Sequence, residues 1–222
     1  MLLQLALDDA ASLSVVAAVA ELVDIIEVGT PLLKRFGLSA IATVRELAPG
    51  VPVLADTKTG DGGAEEAGMV LGAGASLMTV LQLASASTHD AVDRVAREHD
   101  AYVVVDTICG ALPDRPGLYP ERTAYVGLHT PSDMSKLGAS GRDRAGDVSA
   151  LRDLGYGVVI AGSVGADNIG AIVRAAPDIV VVGRAITQAE DPGRAAQWLS
   201  DQLPARGHGW PPALRSPSSP RW

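Results

Sequence analysis

The sequence predicts an α/β fold, a single-domain (β/α)8 TIM barrel, and three observations carry that expectation. Apolar runs of strand length recur eight times along the chain. Helical patterns separate them, so strand and helix alternate. The runs are near-continuous Val, Ile and Leu and do not alternate with polar residues, which is how strands read when both of their faces are covered. Eight such units in about 200 residues close a barrel more naturally than they extend an open, doubly wound sheet. A chain of 222 residues that is 47% hydrophobic, with 24 glycines and a single Phe, suits one compact domain of small aliphatic side chains.

Each element has a local reason. The strand at 2–7 leads into a helical pattern at 12–22, the strand at 23–28 into 38–47, and the strand at 51–55 into 64–71. The strand at 76–81 precedes a helix at 88–99, where Thr88, Asp90 and Asp93 set acidic groups near a helix start. After the strand at 102–105 come Pro113, Pro116 and Pro120, which predict a short or broken fifth crossover. Strands at 124–128, 158–161 and 178–182 are followed by helices at 147–154, 166–175 and 192–203. The last begins well, with Asp191 as N-cap and Pro192 in the first turn. The barrel is expected over 1–203; from 204 to 222 the composition turns to Pro, Ser, Gly and Arg, which predicts a disordered tail holding His208, Trp210 and Trp222.

Composition excludes several classes. The net charge of −8, with 18 scattered Lys and Arg, provides no footprint for a nucleic-acid backbone. No apolar run is long enough to span a membrane, and Asp8-Asp9 interrupts the apolar N-terminus before a secretory signal would be complete. The single cysteine, Cys109, allows no internal disulfide and no zinc-type ligand set, so a reducing cytosol is the expected setting and the apolar core its expected place.

In such barrels the chemistry sits at the C-terminal ends of the strands. Here those ends carry Asp8, Glu27, Asp56 with Lys58, Asp106, His129, Gly162-Ser163 and Gly183-Arg184. The most telling stretch is Asp56-Thr57-Lys58-Thr59-Gly60-Asp61, a D-x-K-x-x-D motif directly after an apolar strand. Positions two apart share a strand face, so Asp56 and Lys58 project together. A lysine among carboxylates stays protonated and can stabilise a developing oxyanion; the plainer account is a solvated, salt-bridged loop. Glu27 follows Val23-Asp24-Ile25-Ile26 and is expected to point into the barrel, where an isolated charge is costly. A divalent cation shared with Asp56, Mg²⁺ by preference, satisfies both carboxylates; a Glu27–Lys58 ion pair without metal is the alternative. His129 is a general acid–base candidate or a satisfied polar residue, whereas His89 and His99 read as part of a solvated helix face. Gly162-Ser163 and Gly183-Arg184 on adjacent strands read as a phosphate site, although either glycine alone could serve a tight turn.

These residues resemble the orotidine 5′-monophosphate decarboxylase suprafamily, and within it the 3-hexulose-6-phosphate synthase branch. The resemblance covers residues 1 to about 200 and rests on the stretches 3–8, 23–31, 54–58, 61–63, 103–106 and 181–187 taken together. It implies a homodimeric, Mg²⁺-dependent barrel (Mn²⁺ as substitute) in which Glu27 and Asp56 match the metal ligands and Asp61 reaches the partner's active site. It also implies a sugar-phosphate substrate, with Asp8 and Lys58 on substrate oxygens, His129 handling a proton and Asp106 at an acidic position of the site. The expected reaction is the reversible aldol-type condensation of formaldehyde with D-ribulose 5-phosphate to D-arabino-hex-3-ulose 6-phosphate.

Orotidine decarboxylases carry a lysine where this chain has Glu27. The nearer rivals are a 3-keto-L-gulonate-6-phosphate decarboxylase, whose usual arginine three residues after the histidine is Ser132 here, and a non-catalytic sugar-phosphate-binding barrel. Gly60, Ser163 and a short, proline-rich 107–128 segment depart from the branch pattern, and Arg184 is more typical of the decarboxylases.

Overall fold

The computed structural model describes residues 1–108, 110–131, 133 and 144–204. Eight parallel strands close on themselves in sequence order. They are β1 Leu2–Leu7, β2 Ile25–Val28, β3 Val53–Thr59, β4 Leu77–Leu81, β5 Tyr102–Asp106, β6 Thr123–His129, β7 Gly157–Ala161 and β8 Ile179–Val182. Closure runs through β1 and β8, which pair from Leu2↔Ile179 to Leu5↔Val182.

Why the strands read as unbroken apolar runs is clear from where their two faces go. One face, including Leu3, Leu5, Leu7, Ile26, Val28, Met78, Val80, Val126, Ile160, Val180 and Val182, packs under the helices. The other lines the barrel interior with Ala6, Ile25, Leu54, Leu77, Val104, Tyr125, Val159, Ile179 and Val181. Each fully buried Leu, Ile or Val is worth about 1.5–3 kcal/mol, so the outer shell, which draws on every strand, dominates stability. Toward the C-terminal ends the interior face changes character, with Glu27, Asp56, Thr79, Asp106 and His129 replacing the aliphatic side chains above a single inward polar residue, Gln4, lower on β1. A polar top on an apolar floor is the arrangement that places a site at the barrel mouth.

The helices are α1 Val16–Val19, α2 Thr30–Phe36, α3 Ser39–Leu47, α4 Gly63–Gly72, α5 Ala86–Glu98, α6 Arg144–Asp153, α7 Ile169–Ala175, α8 Arg184–Thr187 and α9 Pro192–Gln202. The expected N-cap of α9 is present: Asp191 Oδ1 accepts from the Arg194 N–H at 2.9 Å. Three expectations are corrected. The helix expected at 12–22 is split into 3₁₀ turns (Ala11–Val15 and Ala20–Leu22) on either side of the single α-turn α1. The second crossover contains an additional helix, α2, because Gly29 and Pro31 start a helix that has too few turns to show an apolar period. Helix α5 starts two residues before Thr88, with Ser85 as the cap accepting the Thr88 N–H, while Asp93 lies mid-helix against Arg97 at 2.7 Å.

The fifth crossover, described over 107–122 apart from Cys109, contains no helix, as its prolines require. His89 is not on a solvated face: it is 5% exposed and packs against Tyr119 with ring centroids 5.0 Å apart. No helix among the described residues is long and apolar enough to cross a membrane. Cys109, Ser132 and the expected tail beyond 204 lie outside the described residues.

Candidate functional site

Strand register brings most of the chosen side chains together at the barrel mouth. Lys58 Nζ lies 2.5 Å from Asp56 Oδ2 and 3.4 Å from Asp106 Oδ2. Asp106 Oδ2 in turn meets His129 Nδ1 at 2.9 Å, so one carboxylate bridges the ammonium and the imidazole. Asp106 Oδ1 accepts the Ile108 N–H at 2.8 Å, which fixes the rotamer. A carboxylate only accepts, so Nδ1 donates to Asp106, and in the neutral imidazole that tautomer makes Nε2 the acceptor nitrogen.

The geometry of the D-x-K-x-x-D motif differs from the regular strand expected. β3 does not stop at Ala55; it continues through Thr59 with a register shift against β4, and Lys58 adopts φ +50°. A residue with a Cβ is uncommon in that left-handed region, and here it swings the lysine back over Asp56. The two side chains do meet, but through a bulge instead of a shared pleat.

Glu27 lies one strand away on β2. Its Oε2 accepts from Gln4 Nε2 at 2.5 Å, while Lys58 pairs with Asp56 and Asp106, so the metal-free Glu27–Lys58 ion pair is not the arrangement found. Asp56 receives Thr30 Oγ1 at 2.7 Å on one carboxylate oxygen and Thr79 Oγ1 at 2.9 Å on the other. Asp8 follows β1, exposed at the mouth, so close to Gly29 that a Cβ there would lie 2.2 Å from Asp8 Oδ1.

Electrostatics follow from this crowding. Desolvation opposes the Lys58 charge, but Asp56 and Asp106 outweigh it and hold the ammonium above its ordinary range. Burial pushes the Asp106 carboxyl up, yet the hydrogen bond and charge of His129, with Lys58, carry it below the usual carboxylate range. Asp8 is raised by desolvation and then by Asp56. Glu27 is raised to about 8, by desolvation first and by the Asp56 charge second.

Four carboxyl groups, Asp8, Glu27, Asp56 and Asp106, thus gather around the Lys58 ammonium, with Arg184 also acting on Asp8 and His129 on Asp106, and among the described residues Glu27 has a deficit of its own: no cation within ion-pair distance. That deficit, together with a buried Gln4 Oε1 that has no hydrogen-bond partner among the described groups, fits an oxygen-liking cation beside Glu27 and Asp56. Among the described residues no three His, Cys, Asp or Glu side chains form a cage; Mg²⁺ is typically held by one or two carboxylates plus water and substrate oxygens.

Across the mouth, Gly162 adopts φ +94° and a Cβ there would lie 2.4 Å from the Thr130 carbonyl oxygen, so this glycine is required by its turn. Ser163 follows at φ +53°, exposed, with its carbonyl accepting from Asn168 Nδ2 at 2.8 Å. Arg184 is exposed on the first residue of α8, directly after Gly183. Asp61 is exposed on the β3–α4 loop and is not brought into the cluster of its own chain. Sequence reasoning missed Gln4, Thr30 and Thr79, neutral residues whose only signal is a polar side chain on the inward face of an otherwise apolar strand or at a strand end.

A 3-hexulose-6-phosphate synthase of Mycobacterium gastri is 37% identical over 206 residues, covering 90% of this chain and 98% of that protein. The crystal structure of 3-hexulose-6-phosphate synthase from Salmonella typhimurium has a TM-score of 0.82 at 35% identity, covering 91% of this chain and 98% of that one. More distant is 3-keto-L-gulonate-6-phosphate decarboxylase from Vibrio cholerae, with a TM-score of 0.70 at 26% identity and coverage of 91% and 98%. The chain is an enzyme of the lyase class. Residues 1–199 match the orotidine 5′-phosphate decarboxylase / HUMPS family, and the chain belongs to it.

Proposed function

We propose that the chain is an aldehyde-lyase that joins formaldehyde to D-ribulose 5-phosphate, reversibly, giving D-arabino-hex-3-ulose 6-phosphate in a reducing cytosol. The observation that supports this most is the convergence of Lys58, the Asp106–His129 pair and the Glu27–Asp56 carboxylates at one barrel mouth. In the forward direction His129 Nε2 takes a proton from C1 of ribulose 5-phosphate. The electron pair delocalises onto the C2 carbonyl oxygen, and Lys58 faces the resulting 1,2-enediolate as a preorganised donor. C1 then attacks formaldehyde, and the proton held by the His129–Asp106 pair neutralises the new alkoxide. Glu27 and Asp56 would hold Mg²⁺ or Mn²⁺, which would supply Lewis-acid stabilisation of the developing negative charge.

Asp8 accepts from a substrate hydroxyl, while Gly162, Ser163, Gly183 and Arg184 receive the phosphate. Asp61, exposed on the β3–α4 loop, serves the site of a second copy in a homodimer in this reading. Arg184→Ala is expected to raise KM for the phosphorylated sugar tenfold or more, with little effect on a dephosphorylated analogue, because only the phosphate uses the charge-assisted contact. Equal effects on both would remove Arg184 from the phosphate site.

Synthase and decarboxylase differ in the fate of the enediolate, which meets an electrophile in one and a proton in the other. The deciding experiment measures formaldehyde loss with ribulose 5-phosphate and Mg²⁺, and in parallel CO₂ release from 3-keto-L-gulonate 6-phosphate. A larger kcat/KM for CO₂ release replaces the synthase reading with the decarboxylase. Sugar-phosphate binding without either turnover replaces both with a binding barrel.

A further inference from the structure

We propose that Thr79, on β4, is a positioning residue for the reaction: its one hydroxyl sets both the Asp56 carboxylate and the backbone that carries the Lys58 ammonium. The inference rests on the functional reading above and concerns a neutral residue outside the D-x-K-x-x-D motif.

The register of β3 against β4 is irregular beside Thr79. Ala55 pairs with Met78 and Thr59 pairs with Val80. Between those pairs β3 holds Asp56, Thr57 and Lys58, whereas β4 holds only Thr79. A strand with that excess cannot hand every N–H to the ladder, and a buried N–H without an acceptor is costly. The Lys58 N–H goes to Thr79 Oγ1 at 2.8 Å, and the Thr79 carbonyl accepts from Thr57 Oγ1 at 2.6 Å. Thr79 therefore supplies the hydrogen-bond partners that a regular ladder would have given.

The same hydroxyl then reaches the chemistry. Thr79 Oγ1 donates to Asp56 Oδ1 at 2.9 Å, in a contact buried at both ends. A carboxylate only accepts and a backbone N–H only donates, so the sense of both bonds is fixed and a single rotamer satisfies them. A β-branched side chain on a strand has few rotamers to lose, which suits this task. The consequence is a rigid coupling: Lys58 keeps its left-handed φ of +50°, and its Nζ stays on Asp56 Oδ2, because Thr79 holds the backbone and the opposite carboxylate oxygen together. Valine has nearly the same shape but cannot make either bond. Serine makes both, with a freer χ1.

The test compares Thr79→Val and Thr79→Ser with wild type in the synthase assay, and separately by the Mg²⁺ concentration giving half of the Mg²⁺-induced rise in Tm. Thr79→Val is expected to lower kcat about 10- to 100-fold while KM for ribulose 5-phosphate stays within about threefold, since a misplaced catalytic group slows the chemical step without touching the phosphate. Its Mg²⁺ midpoint is expected to rise about tenfold through the loosened Asp56, and Thr79→Ser should recover most of both losses. If Thr79→Val does not fold, Thr79→Ala is read in its place. A valine variant keeping more than a third of wild-type kcat, or valine and serine variants equally impaired, overturns the proposal. If wild type itself shows no synthase turnover, the functional reading fails and the Mg²⁺ midpoint alone decides on Thr79: no change in Thr79→Val overturns its role, and a rise that serine reverses supports it.

Discussion

Lys58→Ala is expected to lower kcat/KM by at least 10²–10³, with the far-UV circular dichroism spectrum retained. The ammonium lies 2.5 Å from Asp56 and 3.4 Å from Asp106, held above its ordinary pKa by both, so it is cationic throughout the working pH range and its donors are already aimed before substrate arrives. Removing one preorganised donor to a developing oxyanion costs about 3–4 kcal/mol of barrier, which is the stated loss. The fold survives because Lys58 belongs to neither hydrophobic cluster. Some stability is lost, since Asp56 and Asp106 lose their shared cation; at roughly 2–4 °C per kcal/mol for a chain of this size, a fall in Tm of up to about 10 °C is expected. Lys58→Arg should not rescue, because a planar guanidinium on a longer stem cannot occupy the position of a point charge between two carboxylates. A Lys58→Ala enzyme with more than about a third of wild-type kcat/KM would exclude the role, since that corresponds to less than about 1 kcal/mol.

Removal of divalent metal is expected to abolish turnover, and Mg²⁺ or Mn²⁺ to restore it. The physical basis is the surplus of negative charge around Glu27, whose carboxyl is pushed up to about 8 by desolvation and then by Asp56. The sign of the accompanying stability effect is fixed. A carboxyl raised in the folded state stabilises the metal-free protein at pH values below its unfolded pKa, and that contribution is lost as pH rises from about 4.5 through 8. Mg²⁺ competes with that proton, so the Mg²⁺-induced rise in Tm should be larger at pH 8 than at pH 6, and Glu27→Gln should abolish it. Full activity in excess chelator, or a Tm shift that persists in Glu27→Gln, would remove Glu27 and Asp56 from the metal site.

Much of the molecule was legible because it is encoded locally. Each predicted strand lies within two residues of an observed one at its start, since a parallel strand covered on both faces has to be apolar on both, and such runs end where the covering ends. Asp8, Glu27, Asp56, Asp106 and His129 could be chosen for the same reason: they are the first charged or titratable residues as each run meets the barrel mouth. Helix α2 was missed because its seven residues show no apolar period, and α8 because it has only four. His89 was misplaced because its spacing on α5 says nothing about the Tyr119 ring that a neighbouring loop lays over it.

The sequence by itself determined the barrel, the strand ends that bear charge and the family pattern, because these depend on residue type and order along one strand at a time. Only the tertiary structure decided how those charges are shared. Asp106 links Lys58 to His129 across β3, β5 and β6; Gln4 on β1 takes Glu27 on β2; Thr79 on β4 holds the bulge that turns Lys58 onto Asp56. Each of these is a contact between strands 20 or more residues apart, set by register and barrel closure, and a hydrogen bond of that kind leaves no spacing in the sequence to read.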